Sequence, residues 1–179
     1  MNKVNYLFLL VLGVSVTGCG MRGPAVPLEV VEYVDIERYM GKWYEIARYP
    51  TFFQGADCVA TTAEYSLRDD GKVRVVNACR EGGLDGPEDS IEGVARVVDS
   101  VTNAKLKVRF FGPFEGDYWI IDLDPDYQWA VVGAPSRDFL WILSRTPTMD
   151  EDLYTDIVSR LPEKLYDPEK LLTTLQPSP

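Results

Sequence analysis

Histidine is absent from the 179 residues. Its absence excludes a Ser-His-Asp triad, a histidine-ligated haem and most zinc sites. Basic residues are also in short supply, with 18 Lys and Arg against 28 Asp and Glu and a net charge of −10. A chain so acidic has no electrostatic footprint for nucleic acid and no basic patch for an anionic lipid surface. No long apolar run is present either. The only candidate, Tyr6 to Val16, is too short to cross a bilayer.

That run has a role nonetheless. It follows Lys3 and leads into Val16-Thr17-Gly18-Cys19, the layout of an exported leader. The last four residues resemble a lipobox, which implies that residues 1–18 are removed and that Cys19 carries the lipid. Gly20, not Asp, stands next to it, and the sorting rule of such lipoproteins then implies the outer membrane, with the domain facing the periplasm. From 19 to 34 the chain holds Pro24, Pro27, Gly20 and Gly23 with little periodicity and reads as a tether. The folded domain is expected over 35–179, one domain's worth of chain.

Of the three cysteines, Cys19 is assigned. Cys58 and Cys79 flank a hairpin whose turn is Asp69-Asp70-Gly71, in a chain sent to a disulfide-permissive compartment. Simple register about that turn does not set them opposite each other, so a bridge needs a bulge or a bond from the loop ends. Two free buried thiols are the alternative.

Strand-length segments fall at about 41–49, 58–68, 72–79, 90–98, 104–111, 117–123, 128–133 and 139–144, with turn residues between them. A short helical turn at 35–39 precedes them. Eight strands with no helix between them predict an antiparallel meander, closed on itself or packed as a sandwich. The only long helix comes afterwards. Thr148 and Glu151 suggest a capping box, and Leu153, Ile157, Val158 and Leu161 form an apolar stripe that ends at Pro162. Such a helix must bury its stripe on the outside of the sheet, and Leu171 to Leu175 is expected to add a short edge strand.

The first and last strands are the organising pair. In Gly41-Lys42-Trp43-Tyr44-Glu45-Ile46-Ala47-Arg48, period-two alternation places Trp43, Glu45 and Ala47 on one face and Tyr44, Ile46 and Arg48 on the other. Arg145 closes the apolar run Leu140 to Leu143, where a guanidinium can stack on the Trp43 ring and bond backbone carbonyls. A G-x-W-Y first strand, an Asp126-Tyr127 turn before a strand with Ala130-Val131-Val132, and an arginine closing the eighth strand are similar to the three motifs of the lipocalins. The wording of 138–147, 65–71 and 110–114 resembles the bacterial outer-membrane lipocalins in particular. The resemblance spans about residue 35 to the end. It implies an all-β, eight-stranded up-and-down antiparallel barrel with the C-terminal helix outside, closed at the Trp43–Arg145 end and open at the other.

Parity and the lipocalin match together point Ala63, Tyr65 and Leu67, Val73, Val75 and Asn77, Ile91, Gly93, Ala95 and Val97, Leu106, Val108 and Phe110, and Tyr118 and Ile120 inward. A packed core is the competing reading of each. Phe52-Phe53 and Phe111-Gly112-Pro113-Phe114 lie in loops, where apolar residues suggest a binding rim or a membrane contact; a loop folded over its own core is the alternative. The resemblance implies a small hydrophobic ligand, such as a fatty acid or lysophospholipid, with no cofactor, no metal and no nucleic acid, and the membrane reached through the lipid anchor. An association of two copies stays open. Polar selection falls to Tyr65, Asn77 and Tyr118, with Arg48, Arg80 or Arg109 near a head group. An enzyme built on this barrel has only Glu45 and Asp122 as inward carboxylates, which read equally as structural charges near the closed end. An interaction module would use the acidic loop 81–89.

Overall fold

A computed structural model describes residues 26–52, 54–55 and 57–178. The lipobox with Cys19, the leader before it, and Phe53 lie outside the described residues. Eight antiparallel strands run β1 (Gly41–Arg48), β2 (Cys58–Leu67), β3 (Val73–Glu81), β4 (Glu88–Val97), β5 (Lys105–Arg109), β6 (Gly116–Leu123), β7 (Trp129–Gly133) and β8 (Leu140–Ser144). Each pairs with its neighbour in sequence, and β1 pairs with both β8 and β2, which closes the sheet into a barrel.

The barrel separates two apolar cores. Trp43, Tyr65, Val73, Val75, Ala95, Leu106, Ile120, Ala130, Val132 and Leu143 pack inside. Their strand neighbours Ile121, Val131, Leu140 and Ile142 pack outside against α2 (Glu151–Arg160), whose Ile157, Leu153 and Val158, with Leu161 beyond it, supply the expected stripe. The capping box expected at Thr148 does not form. Asp150 is the N-cap instead, its carboxylate accepting from the amides of Asp152 and Leu153. A carboxylate one position before the helix satisfies the first-turn donors and favours the positive end of the helix dipole.

Two bulges break the period-two alternation. In β1 the register with β8 shifts between Glu45 and Ala47. Ile46 and Ala47 both join the outer core, and Arg48 returns to the side of Trp43 and Glu45, opposite Trp141. In β6 the register with β7 shifts between Ile120 and Asp122. Asp122 therefore turns outward, where its carboxylate accepts from Arg160 of α2 at 3.0 Å. A bulge adds one residue to one strand and so inverts the parity of everything after it.

A third irregularity lies in β2. Its register with β3 shifts between Val59 and Thr62, and Ala60 has φ of +50°. Two β2 residues thus oppose Cys79 alone, which lets Cys58 reach it: the two form a disulfide with Cα atoms 5.6 Å apart.

The ends of the domain are more committed to the barrel than the composition suggests. Residues 28–34, expected as tether, lie along its wall. Leu28 and Val34 are buried, and the amides of Val31 and Val34 donate to the carbonyls of Ile120 and Thr102. At the other terminus β9 (Leu172–Thr173) pairs with β1 at Ala47 and Arg48, beyond the point where β2 has left that edge. The amides of Thr174 and Ala60 donate to Ile46 and Leu175, and the Gln176 side chain donates to the carbonyls of Glu45 and Thr61. The tail thus fills the seam between β1 and β2.

Candidate ligand-binding barrel

The closed end is built on Gly41, Trp43 and Arg145. Gly41 has φ of +92°, a conformation open to glycine at little cost, and it stands beside the Arg145 guanidinium. That turn delivers Trp43 into the barrel with no exposed surface, its indole N–H donating to the Tyr39 carbonyl at 2.9 Å. The Arg145 guanidinium lies 3.8 Å from the ring centroid. Its N–H groups donate to the carbonyls of Tyr127, Lys42 and Arg38. Tyr127, in the turn after Asp126, accepts from the Asp35 amide at 2.8 Å and lies under the Arg38 guanidinium. These contacts tie the helical turn α1 (Ile36–Tyr39) across the end of the barrel.

Above this plug sits a floor of tyrosines. The Tyr118 hydroxyl bonds those of Tyr39 and Tyr65 at 2.8 and 3.0 Å. Burial pushes the Tyr65 phenol up to about 12, with the hydrogen bond to Tyr118 and the charge of Arg145 opposing. Burial raises the Tyr39 and Tyr118 phenols as well. All three are therefore neutral at any physiological pH. Tyr65, Val73, Ala95, Leu106, Val108, Tyr118 and Ile120 do point inward, but they close on one another around a cavity of about 10 Å³, room for a single water. The hydroxyls expected to select a ligand's polar group are occupied with each other. Leu67, the last inward position of β2, lies past the floor and is exposed.

The half above the floor is different. Ala63 is on the inner wall yet only partly buried, and so are Phe110 and Trp141. Phe110 swings across Gly93: a Cβ on Gly93 would stand 2.6 Å from its ring. The absence of a side chain at 93 is what admits the aromatic there. Asn77, paired with Ala63 and Ile91, has a buried Oδ1 with no partner among the described residues.

At the mouth, Glu45 and Arg48 are both buried and paired at 3.3 Å. The Glu45 carboxylate also accepts from Thr174 Oγ1 at 2.5 Å and Gln54 Nε2 at 3.1 Å, and Arg48 donates to the carbonyls of Tyr49 and Gly55. Burial pushes the Glu45 carboxyl up, with Thr174, Arg48 and Gln54 opposing. One buried carboxylate therefore holds the first loop, the seam and the C-terminal tail together. Arg80 and Arg109, also expected near a head group, are not in this cluster: Arg80 pairs with Glu88 and bonds the Gly86 carbonyl, and Arg109 is exposed on the outer face of β5. Glu45 and Asp122 are on opposite sides of the wall and make no acid–base pair. Phe52, Phe111 and Phe114 stand out from the loops at the open end, 92%, 72% and 81% exposed.

Sequence reasoning missed Gln54, Thr174 and Gln176, polar residues in segments with no periodicity to place them. The pairing of Glu45 with Arg48 was hidden by the bulge between them.

Comparison with known proteins agrees with this architecture. Residues 34–176 match the model of the lipocalin-like domain. The chain is 45% identical to temperature-induced lipocalin-1 of Arabidopsis thaliana over 157 residues, 83% of each chain. It is 41% identical to the outer membrane lipoprotein Blc of Escherichia coli K12 over 163 residues, 90% of each. Its fold superposes on that of insecticyanin from the tobacco hornworm Manduca sexta with a TM-score of 0.69, at 21% identity over 87% of this chain and 88% of the other. With the Trp43–Arg145 plug, the closed eight-stranded wall and the outer helix in place, the chain belongs to the lipocalin family.

Proposed function

We propose that this protein is an outer-membrane-anchored carrier that holds a single-chain lipid, a fatty acid, a lysophospholipid or a similar molecule, in the upper half of its barrel. The observation that carries the reading is an inner wall that is apolar and only partly buried from Ala63 to Phe110 and Trp141, beneath a mouth edged with exposed phenylalanines. Relatives at 36% to 41% identity are outer membrane lipoproteins, which supports the anchor at Cys19. Each methylene moved from water to such a wall contributes about 0.8 kcal/mol, so a dozen suffice for useful affinity after ordering costs. The chain lies above the tyrosine floor and displaces the Phe110 ring. Asn77 Oδ1 accepts a hydrogen bond from the ligand's hydroxyl or ammonium. Catalysis is not part of this reading, because Glu45 is saturated with hydrogen bonds and Asp122 faces outward.

The test is lipid extraction and mass analysis of protein purified without detergent, together with titration by a fluorescent fatty-acid analogue. Ala63→Trp fills the upper half and is expected to abolish binding without lowering the melting temperature. Ala95→Trp, beside only about 10 Å³ of free space, overpacks the floor and is expected to cost about 1–3 kcal/mol. No extracted lipid together with unchanged binding by Ala63→Trp refutes the proposal.

A further inference from the structure

We propose that the open rim of the barrel is a membrane-docking surface, pressed against the bilayer by the position from which the lipid anchor leaves the domain, so that ligand passes between bilayer and barrel without crossing water. This rests on the anchored-carrier reading through Cys19.

The first observation is where the N-terminal segment runs. It starts at the closed end, where the Asp35 amide meets Tyr127, and climbs the wall through the contacts of Val34 and Val31. Leu28 then joins the outer apolar core that also holds Tyr49, Leu140 and Ile157, and the Val26 carbonyl accepts from Arg137 at 2.9 Å. Arg137 belongs to the loop between β7 and β8, at the open end. The chain therefore reaches Val26 beside the mouth. Cys19 is seven residues before Val26, a separation of at most about 25 Å whatever the path between them.

The second observation is the height of the barrel. Strands of 8 to 10 residues are about 26–33 Å long and, at a tilt of about 40°, stand about 20–25 Å high. To present the closed end to the membrane, the tether would have to run back down nearly the whole barrel at full extension. With the mouth toward the membrane it needs almost none of its length.

The third observation is what the mouth carries. Phe52, Phe111 and Phe114 project from two separate loops at that end, and Leu84 from a third is 37% exposed. The closed end also exposes Leu67, Val98 and Val101, but among the described residues only the mouth holds out phenylalanine rings, the larger apolar side chains that suit the interfacial region of a bilayer. The charges of the same loops, Asp57, Asp85, Glu115 and Asp138 against Arg137, give no attraction to anionic lipid. Contact is consequently apolar, and added salt does not weaken it.

The experiment uses the mature lipidated protein on vesicles of phosphatidylethanolamine and phosphatidylglycerol, read by amide hydrogen exchange with no fatty ligand added. Expected is slowed exchange in loops 49–57 and 110–115, undiminished by salt, and none in the closed-end loops 68–72 and 98–103. The triple variant Phe52→Ser, Phe111→Ser, Phe114→Ser is expected to stay on the vesicles through its anchor, lose that protection, and melt like wild type, since all three side chains are exposed. The proposal is overturned if the closed-end loops are protected instead, if both ends or neither are protected, or if the triple variant keeps the protection. It is also overturned if wild-type protein does not sediment with the vesicles. Rim protection that appears without vesicles, rises with protein concentration and vanishes in the triple variant assigns the rim to a second copy of the chain and equally overturns it. Because the vesicle measurement involves no ligand and the titration no vesicles, failure of docking and failure of lipid binding are separately visible.

Discussion

Substituting Trp43 tests whether the closed end is held by a single interlocked contact. The ring has no exposed surface, its N–H is bonded to Tyr39, and it is covered by Arg145 at 3.8 Å. Trp43→Ala removes a buried aromatic, which costs about 3–5 kcal/mol. Arg145→Lys keeps the charge but loses the planar fork. A lysine ammonium cannot hold the carbonyls of Arg38, Lys42 and Tyr127 at once. Two lost bonds at about 1 kcal/mol each and part of a stacking contribution of about 0.5–1 kcal/mol come to roughly 2–3 kcal/mol. In the double variant that part of the stacking is lost only once, so the two costs overlap by up to about 0.5–1 kcal/mol. Urea unfolding of the four proteins, followed by near-ultraviolet dichroism, gives each stability. A Trp43→Ala protein that unfolds like wild type, or a coupling of zero within about 0.3 kcal/mol, refutes the account of this end.

Two further outcomes follow from the mouth and the hairpin. The raised pKa of Glu45 means that the native state holds this proton more tightly than the unfolded chain, so its contribution is complete below the ordinary value of 4.5 and lost as pH rises through the folded value. Wild type should therefore gain stability relative to Glu45→Gln as pH falls from 7 toward 4.5, by about 1.4 kcal/mol for each tenfold tightening of proton binding on folding; parallel urea midpoints across that range contradict it. The Cys58–Cys79 bridge closes a loop of 21 residues. Replacing both cysteines by serine should cost about 3 kcal/mol in urea unfolding, and an unchanged midpoint would show that the bridge does not constrain the unfolded chain.

The wall of the barrel is legible in the sequence because each strand carries its own signal. Alternation from β3 to β5 and the turns Asp69-Asp70-Gly71 and Asp124-Pro125-Asp126 mark the elements locally, and Trp43 and Arg145 mark the closure. What parity cannot show is a bulge, since the extra residue is set by the partner strand. By parity Arg48 falls on the outer face and Asp122 on the inner, each the reverse of the structure, and the pairing of Glu45 with Arg48 goes unseen with them. Depth along the barrel is equally hidden. Tyr65 and Tyr118 share a face with Ala63 and Asn77 by sequence, but only the placement of α1 beneath them makes them a floor. The proline and glycine content of 19–34 suggests a tether, whereas the burial of Leu28 and Val34 depends on a groove made by distant residues.

The seam filled by the C-terminal tail has a consequence for how the molecule comes into being. Gln176 bonds the carbonyls of Glu45 and Thr61, residues 131 and 115 positions earlier. A chain made from its N-terminus has β1 and β2 available long before that segment exists, so the wall can be laid down while its seam is unsealed. Until the last residues arrive, the carbonyl of Ile46 and the amide of Ala60 form an unguarded strand edge, open to pairing with the same edge of another nascent molecule. Removing residues 172–176 is therefore expected to uncover this edge and to drive association of copies through it, seen as larger species in size-exclusion chromatography.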